Sequence, residues 1–417
     1  MADTDTEREQ IAPRRRVRAL SWHVVSSAIP AAAARPATSP SPAAAPQRRT
    51  DLDALRIVAC AGVVLFHVMS IWSAEPIYHL KSALSSPAVS VLAPLLHVST
   101  VPLFFVLAGW SAVTSLRRRG VRDFVRERAR RLAVPLVAGT ILLGPVIKYI
   151  ELTHGRDIGF HGLWLVPPLQ MGFVEFIPRY FTRMNLLTWS HLWFLAYLFL
   201  ISLLLLPLAL RLARAKPRFD VPAAPLVYLP ALAFAALLAA FNGYWPFLPT
   251  LLHDWTNFSW FALCFAIGAV IAAWPGCEKR LHGETWRMLA LMLVAYVGVV
   301  VCGPSSAGRA FLGLTTWGAI GAALGIARRF NPAPTPAFNA LSEAALPVYI
   351  LHLLPMFAVA LLVLPPGWPV WLSIAVVWLA EMGITLAAIR CLVRPWRPMR
   401  WLVGMNPHMV PPRAPHQ

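Results

Sequence analysis

The sequence predicts an all-α, multi-pass integral membrane protein with about ten transmembrane helices. Of its 417 residues, 58% are hydrophobic and only 13% are charged, a balance typical of a chain that lies largely within a bilayer. Ten apolar runs are long enough to cross the hydrocarbon core, which takes about 20 residues. Lysine and arginine collect in alternate connections between these runs, as expected where one face of the membrane retains the positive charge.

The predicted spans cover about residues 52–72, 91–113, 132–150, 191–210, 225–241, 257–274, 287–303, 309–327, 338–363 and 370–391. The ninth span is long and contains Pro347 and Pro355, so we expect a kink or a re-entrant break within it. We divide the chain into a basic Pro/Ala-rich cytoplasmic tail over residues 1–48, a transmembrane domain over 49–391 and a short cytoplasmic tail over 392–417. The composition of the first tail predicts disorder.

The distribution of charge predicts the orientation of the chain. The formal net charge is +19, and 30 of the 37 lysines and arginines fall on the side that carries both termini. Six fall on the other side, and Arg56 lies within the first span. This asymmetry predicts cytoplasmic termini and a 151–190 segment outside, and it argues against a nucleic-acid partner. The five cysteines have no CxxC spacing, so they indicate neither a disulfide framework nor a zinc site.

The first span carries two ionisable residues, Arg56 and His67, in an otherwise apolar helix. They are 11 positions apart, close to three helical turns, so both project from one face about 16 Å apart along the axis. Ionisable groups in a spanning helix usually face a protein-lined or watery cavity. A neutral imidazole is suited to act as a general base toward a hydroxyl. The alternative is a histidine that only hydrogen bonds to a neighbouring helix.

A connection with eight arginines, residues 117–131, follows the second span. Topology explains several of them, but Arg128 and Arg131 are also spaced for one helical face directly before the third span. Arginine is suited to multidentate phosphate binding. The pair is consistent with a cytosolic donor that carries several phosphates, such as a coenzyme A thioester. Binding of anionic lipid headgroups is the alternative.

Three further features leave their roles open. Glu381 lies near the middle of the last span, where a functional carboxylate and a structural ion pair with an arginine are equally consistent with the sequence. His352 lies on a proline-flanked segment and would either contact substrate or pack. The 151–190 segment combines polar and aromatic side chains, which suit either a carbohydrate-like acceptor or anchoring at the membrane interface. These side chains are Glu151, His154, Asp157, His161, Trp164, Glu175 and Trp189.

Four parts of the chain resemble, in order, segments of the integral-membrane acyltransferase 3 family. They are DLDALRIVACAGVVLFH (51–67), VPLFFVLAGW with RERARRLAVP (101–110 and 126–135), HLWFLAYLFL (191–200) and LPVYILHLLP (346–355). The resemblance covers about residues 49–391 and is strongest to the glucan biosynthesis protein C-like branch. It implies a membrane O-acyltransferase that moves an acetyl or succinyl group from cytosolic acyl-coenzyme A to a hydroxyl of an envelope carbohydrate or similar acceptor.

The resemblance also implies roles for individual residues. His67 would be the catalytic base with Arg56 as its partner in the same helix, while Arg128 and Arg131 would contact the donor. Trp193, Tyr349 and His352 would line or brace the site. The resemblance implies acyl-coenzyme A as a donor substrate, no tightly bound cofactor and a location in a bacterial-type inner membrane. His67 and His352 could suggest a metal, but no HExxH or comparable carboxylate spacing supports one, so we expect none.

A transporter or flippase is the rival interpretation. Arginine, histidine and glutamate within the membrane can form a proton relay, and broken helices are common in transporters. The sequence shows no internal repeat, and a transporter gives no reason for the arginine-rich connection over 117–131.

The orientation of the chain can be tested by cysteine accessibility. We expect single cysteines introduced at residues 151–190 to react with an impermeant maleimide in intact cells, because this segment is predicted to lie outside. Cysteines introduced at residues 117–131 are expected to react only after the membrane is opened. Strong labelling of residues 117–131 in intact cells contradicts the predicted topology.

Overall fold

The computed structural model describes residues 49–159, 162–245, 248–251 and 253–406. The predicted tail over residues 1–48, His161 and residues 407–417 lie outside the described residues. Within the described part, seven helices are long and apolar enough to cross a membrane. Counting each of three bent helix pairs as one span gives up to ten. The predicted all-α, multi-pass membrane class is therefore confirmed.

The N-terminal half of the described chain contains helices joined by short connections and one small hairpin. The helices are α1 (Thr50–Ser70), α2 (Pro87–Leu116), α3 (Val121–Arg128), α4 (Val134–Leu142), α5 (Gly144–Thr153), α6 (Phe173–Thr182), α7 (Trp193–Leu204), α8 (Leu206–Arg214) and α9 (Leu229–Phe241). The antiparallel hairpin consists of β1 (Arg156–Gly159) and β2 (Gly162–Leu165). Short 3₁₀ turns cover Met184–Leu186, Ser190–Leu192 and Ala224–Tyr228. A π-helical turn, Ala129–Ala133, joins α3 to α4.

All regular secondary structure in the described C-terminal half is helical. Its helices are α10 (Trp255–Ala273), α11 (Pro275–Gly283), α12 (Thr285–Cys302), α13 (Ser306–Phe330), α14 (Pro336–Leu351), α15 (Leu353–Val363), α16 (Val370–Ala388) and α17 (Arg397–Leu402). A second π-helical turn, Ile389–Val393, extends α16. Part of the predicted C-terminal tail is therefore folded: α17 packs on α4, and Arg400 and Met405 are buried.

Three spans are bent where the backbone is interrupted. The bend is 45° between α4 and α5, 56° between α7 and α8, and 63° between α14 and α15. The last bend confirms the kink expected from the two prolines. Pro355 has no N–H to donate to the carbonyl of Leu351, and its ring crowds that carbonyl. The helix therefore breaks at His352, between the two prolines.

The centre of the bundle depends on close contact between α2 and α10. A Cβ atom at Gly109 would lie 1.9 Å from the carbonyl oxygen of Phe265, and one at Gly268 would lie 1.9 Å from that of Val106. Such distances are too short for any side chain, so glycine is required on both helices. Small residues are the usual means by which membrane helices approach so closely.

Replacing Gly268 tests this contact. We expect Gly268→Ala to destabilise the protein by about 1–3 kcal/mol, because the added methyl group forces the helices apart. Gly383→Ala is the matched control: Gly383 also lies in a spanning helix, but a Cβ atom added there would have no neighbour within 4 Å. The midpoint of thermal unfolding in detergent should fall for Gly268→Ala and stay constant or rise for Gly383→Ala. Equal midpoints for the two variants contradict the close contact.

Candidate active site

Three histidines from distant parts of the chain meet inside the bundle. His67 lies in the last turn of α1, His191 in the 3₁₀ turn before α7, and His352 at the break between α14 and α15. The ring centroid of His352 lies 5.2 Å from that of His67 and 5.0 Å from that of His191, while those of His67 and His191 are 6.3 Å apart. We call these three residues the histidine cluster. His191 and His352 are buried, and His67 is partly buried.

Backbone carbonyls determine which nitrogen of two of these rings carries a proton. His191 Nε2 lies 3.1 Å from the carbonyl oxygen of Ile350, and His352 Nδ1 lies 2.8 Å from that of Tyr349. A carbonyl only accepts, so each of these nitrogens must donate. The opposite nitrogens, His191 Nδ1 and His352 Nε2, are buried and have no hydrogen-bond partner among the described residues. Each is therefore an available proton acceptor.

Tyr78 orients the third ring. Its hydroxyl oxygen lies 3.1 Å from His67 Nδ1 and donates to Met356 Sδ at 3.9 Å. Burial raises the pKa of the Tyr78 phenol well above its ordinary value, so the hydroxyl keeps its proton. When that proton is directed to Met356, the oxygen is free to accept a hydrogen bond from His67 Nδ1–H. This arrangement places the lone pair of His67 on Nε2.

Lys81 fixes the end of the helix that carries His67. Its ammonium group donates to the carbonyl oxygens of Ser70 and Ser73, each at 2.6 Å. These carbonyls lie at and just beyond the C-terminus of α1, where helical partners are lacking and a cation is favoured. Burial lowers the pKa of Lys81 to about 8. The connection between α1 and α2 therefore holds both the helix end and, through Tyr78, the ring of His67.

Two residues expected to brace the site have different surroundings. Tyr349 donates its hydroxyl hydrogen to the carbonyl oxygen of His191, and its ring centroid lies 5.6 Å from that of His191. Trp193 is buried and stacks on Phe261 at 5.7 Å. Tyr349 therefore contacts the histidine cluster directly, while Trp193 anchors the start of α7 on α10.

The arginines expected to bind the donor lie at the opposite end of α1. The guanidinium of Arg128 lies 5.0 Å from the ring centroid of Phe124. The side chain of Arg131 is 51% exposed, and its Nε lies 3.5 Å from Glu127 Oε1. Arg56 lies within electrostatic range of both arginines. We call Arg56, Arg128 and Arg131 the arginine cluster.

The structure does not bring Arg56 and His67 together. The Nη1 atom of Arg56 lies 2.6 Å from Asp53 Oδ1, one turn away on the same helix. The neighbours of His67 are Tyr78 and the other histidines. Arg56 and His67 therefore belong to two separate groups on one helix, about 16 Å apart along its axis.

Glu381 is completely buried in α16. Its Oε1 accepts a hydrogen bond of 3.0 Å from Thr385 Oγ1, and its Oε2 has no partner within the described ranges. Across the described part of the chain, no arginine forms an ion pair with it, so the ion pair allowed by the sequence is not present. Glu381 also has no hydrogen bond to the histidine cluster among the described residues.

The 151–190 segment is only partly a surface loop. Glu151 is completely buried, with its Oε2 2.5 Å from Lys148 Nζ, and Asp157 Oδ1 lies 2.9 Å from the same ammonium. Trp189 Nε1 donates to the carbonyl oxygen of Pro249, whereas Trp164 is 62% exposed. The segment thus contributes a buried charged group as well as exposed aromatic surface.

Tyr78 and His191 are site residues that the sequence pattern did not single out. His191 opens the recognised segment HLWFLAYLFL, so its position was visible, but one histidine at the start of a span carries no sign of its partners. Tyr78 lies in a short connection with no periodic pattern. For either residue, only the packing of distant segments reveals the role. No group of three His, Cys, Asp or Glu side chains within the described ranges is arranged to hold a metal ion.

Fold and site together define a multi-pass membrane protein with an arginine cluster near one end of a spanning helix and a histidine cluster near the other. The sequence matches the model of the acyltransferase domain, acyltransferase 3, over residues 49–389. The chain therefore belongs to this family of membrane acyltransferases.

The chain is also similar to glucans biosynthesis protein C of Escherichia coli strains K12 and SMS-3-5. In each case 25% of residues are identical over 162 residues, which cover 38% of this chain and 38% of the relative. The match therefore spans well under half the length of these curated relatives. No solved structure matches this chain significantly.

Proposed function

We propose that this protein is an O-acyltransferase that moves an acetyl or succinyl group from cytosolic acyl-coenzyme A to a hydroxyl of an envelope carbohydrate or similar acceptor. The observation that carries the proposal is the histidine cluster of a chain in the acyltransferase family. Its rings are positioned by hydrogen bonds that leave lone pairs available. An acyl transfer to a hydroxyl needs such a proton acceptor.

The donor is proposed to bind through the arginine cluster. Three guanidinium groups that repel one another are stabilised by an anion with several charges, and guanidinium forks match phosphate oxygens. Arg131 is half exposed and therefore accessible to a ligand. The phosphates of coenzyme A provide the required chemistry. The alternative anion, a lipid headgroup, has no thioester to deliver.

The two clusters suit the shape of this donor. Arg56 and His67 are separated by about 16 Å along α1. In coenzyme A, a long flexible arm separates the phosphates from the sulfur that carries the acyl group. Phosphates held at the arginine cluster therefore leave the thioester free to extend toward the histidine cluster.

The proposed chemistry begins with the acceptor hydroxyl at His67 Nε2. This nitrogen takes the hydroxyl proton while the oxygen forms a bond to the carbonyl carbon of the thioester. The carbon–sulfur bond then breaks, and the departing thiolate recovers the proton from the imidazolium. Tyr78 holds the ring in the required tautomer, as the orienting residue of a catalytic dyad does.

The acceptor is proposed to approach from the 151–190 segment. The exposed Trp164 and the neighbouring polar groups are suited to sugar rings and hydroxyls. The similarity to glucans biosynthesis protein C points in the same direction, although it covers 38% of this chain. We propose an orientation with both termini in the cytoplasm of a bacterial-type inner membrane, which places the donor inside and the acceptor outside.

A proton relay for transport is less consistent with the site. Such a relay needs Glu381 to exchange protons with the histidines, yet its hydrogen bond goes to Thr385. The arginine cluster also has no function in a relay of this kind. Membership of an acyltransferase family supports acyl transfer instead.

Replacing His67 tests the proposed base. We expect His67→Ala to lower the rate of acyl transfer by about 10²–10⁴, the usual cost of losing a general base. His352→Ala is expected to have a smaller effect, because the proposal gives that ring a supporting role. The measurement is transfer of labelled acyl groups from acyl-coenzyme A to isolated envelope carbohydrate in membranes that contain equal amounts of each variant.

His253→Ala provides the matched control, since this histidine is exposed and lies outside both clusters. It should transfer acyl groups at the wild-type rate. A near wild-type rate for stably inserted His67→Ala would assign the base elsewhere, with His352 and then Glu381 as the next residues to test.

Replacing the arginines tests the donor site separately. We expect Arg128→Ala and Arg131→Ala each to weaken acyl-coenzyme A binding by tenfold or more, because a charge-assisted hydrogen bond contributes about 1.5–3 kcal/mol. Arg119→Ala and Arg122→Ala, in the same basic connection, should have much smaller effects. Binding can be measured by isothermal titration calorimetry on protein in lipid nanodiscs. If all four variants lose equally little affinity for acyl-coenzyme A, these arginines serve only to set the topology of the chain.

A further inference from the structure

Ser190, His79 and Glu151 form a second chain of hydrogen bonds beside the histidine cluster. The Ser190 hydroxyl lies 3.0 Å from His79 Nε2, and His79 Nδ1 bonds to Glu151 Oε1. The Glu151 carboxylate accepts a hydrogen bond from His79 Nδ1, so this nitrogen carries a proton. His79 Nε2 then accepts a hydrogen bond from the Ser190 hydroxyl. This is the order of groups in a serine–histidine–carboxylate triad, which is recognised by geometry rather than by position in the sequence.

Surrounding groups hold the carboxylate of this triad firmly. Glu151 and Lys148 are both completely buried and lie 2.5 Å apart. Lys148 also donates to the carbonyl oxygen of Ile158 at 2.7 Å and contacts Asp157 at 2.9 Å. A buried, paired carboxylate is suited to orient a histidine and to stabilise it when it becomes charged.

The backbone at Ser190 is unusual for a serine. Its φ angle is 46°, in the left-handed region that residues other than glycine rarely adopt. The backbone N–H of Ser190 is satisfied by Thr188 Oγ1 at 3.0 Å. The Ser190 hydroxyl itself is directed to His79. Strain of this kind is concentrated at functional sites.

The triad adjoins the histidine cluster through the chain itself. Ser190 directly precedes His191, and His79 directly follows Tyr78, which bonds to His67. The ring centroids of Tyr78 and His79 are 5.4 Å apart. Ser190 is only partly buried. The two groups thus form parts of one site.

We propose that Ser190 carries the acyl group as an ester between donor and acceptor, so that this two-step route replaces the direct attack of the acceptor on the thioester; the proposal rests on the acyl transfer proposed above. In the first step, His79 Nε2 takes the hydroxyl proton while Ser190 Oγ forms a bond to the carbonyl carbon of the thioester. The carbon–sulfur bond breaks, and coenzyme A leaves as the thiol with the proton from His79. Ser190 is then an acyl ester, and His79 is neutral again.

In the second step, the acceptor hydroxyl attacks the carbonyl carbon of the Ser190 ester. His67 Nε2 takes the proton of this hydroxyl, and the bond between the carbonyl carbon and Ser190 Oγ breaks. The proton returns from His67 to the serine oxygen. The site therefore has a separate base for each half of the reaction, and coenzyme A can leave before the acceptor arrives.

Trapping the ester tests this proposal. Protein in lipid nanodiscs is incubated with isotopically labelled acyl-coenzyme A without an acceptor, and its peptides are analysed by mass spectrometry. We expect the label on Ser190 in the wild type, and in His67→Ala we expect a label that persists after acceptor is added. Ser190→Ala and His79→Ala should carry no label at this position, whereas the control Ser202→Ala, a buried serine bonded within α7, should match the wild type.

Ser190→Cys keeps the proposal testable if Ser190→Ala inserts poorly. Its thiol should acquire the acyl group as a thioester, which neutral hydroxylamine removes although it leaves an oxygen ester intact. One outcome would overturn the serine carrier alone. In it, the wild type transfers acyl groups to the acceptor, but neither the wild type nor His67→Ala carries label on Ser190. Absence of transfer to any carbohydrate hydroxyl by the wild type would overturn the proposed function, and the serine carrier with it.

Discussion

The site depends on how the interrupted ends of α14 and α7 satisfy their backbone polar groups. The last carbonyls of a helix lack partners within it, and within a membrane no bulk water can replace them. At the break before Pro355, the carbonyls of Tyr349 and Ile350 accept from the rings of His352 and His191. The Tyr349 hydroxyl in turn donates to the carbonyl of His191. The same bonds stabilise two irregular segments and determine which ring nitrogens remain free for chemistry.

These hydrogen bonds between distant segments explain how much of the site could be predicted from the sequence. Prolines and apolar runs are local signals, so the spans and the kink at residues 338–363 could be predicted. His67 and His352 were visible as polar residues in apolar segments. Tyr78, His79 and Ser190 gave no such signal, because they lie in connections whose conformations are set by distant partners. Their roles arise only when the 71–86 connection, α5 and the turn before α7 pack together.

The charged residues also form contacts that local sequence patterns do not reveal. Lys148 is one of the six lysines and arginines counted on the outer side, but its ammonium is buried between Glu151 and Asp157. An isolated buried charge is very unfavourable, and pairing with good geometry offsets this cost. The spacing of three residues between Lys148 and Glu151 is the local signal that could have indicated the pair. Its connection to His79 involves a contact between residues 72 positions apart and has no local signal.

The first helix connects these parts because it is continuous from Thr50 to Ser70. Its rigidity fixes the distance between Arg56 in the arginine cluster and His67 in the histidine cluster. The Arg56 side chain is also held by Asp53 of the same helix, and Lys81 bonds to the carbonyls at the C-terminus. In the proposed function, the donor would therefore bridge the clusters through its own flexible arm. The proposed covalent carrier suits this arrangement, because it would retain the acyl group at the far end after the donor has withdrawn.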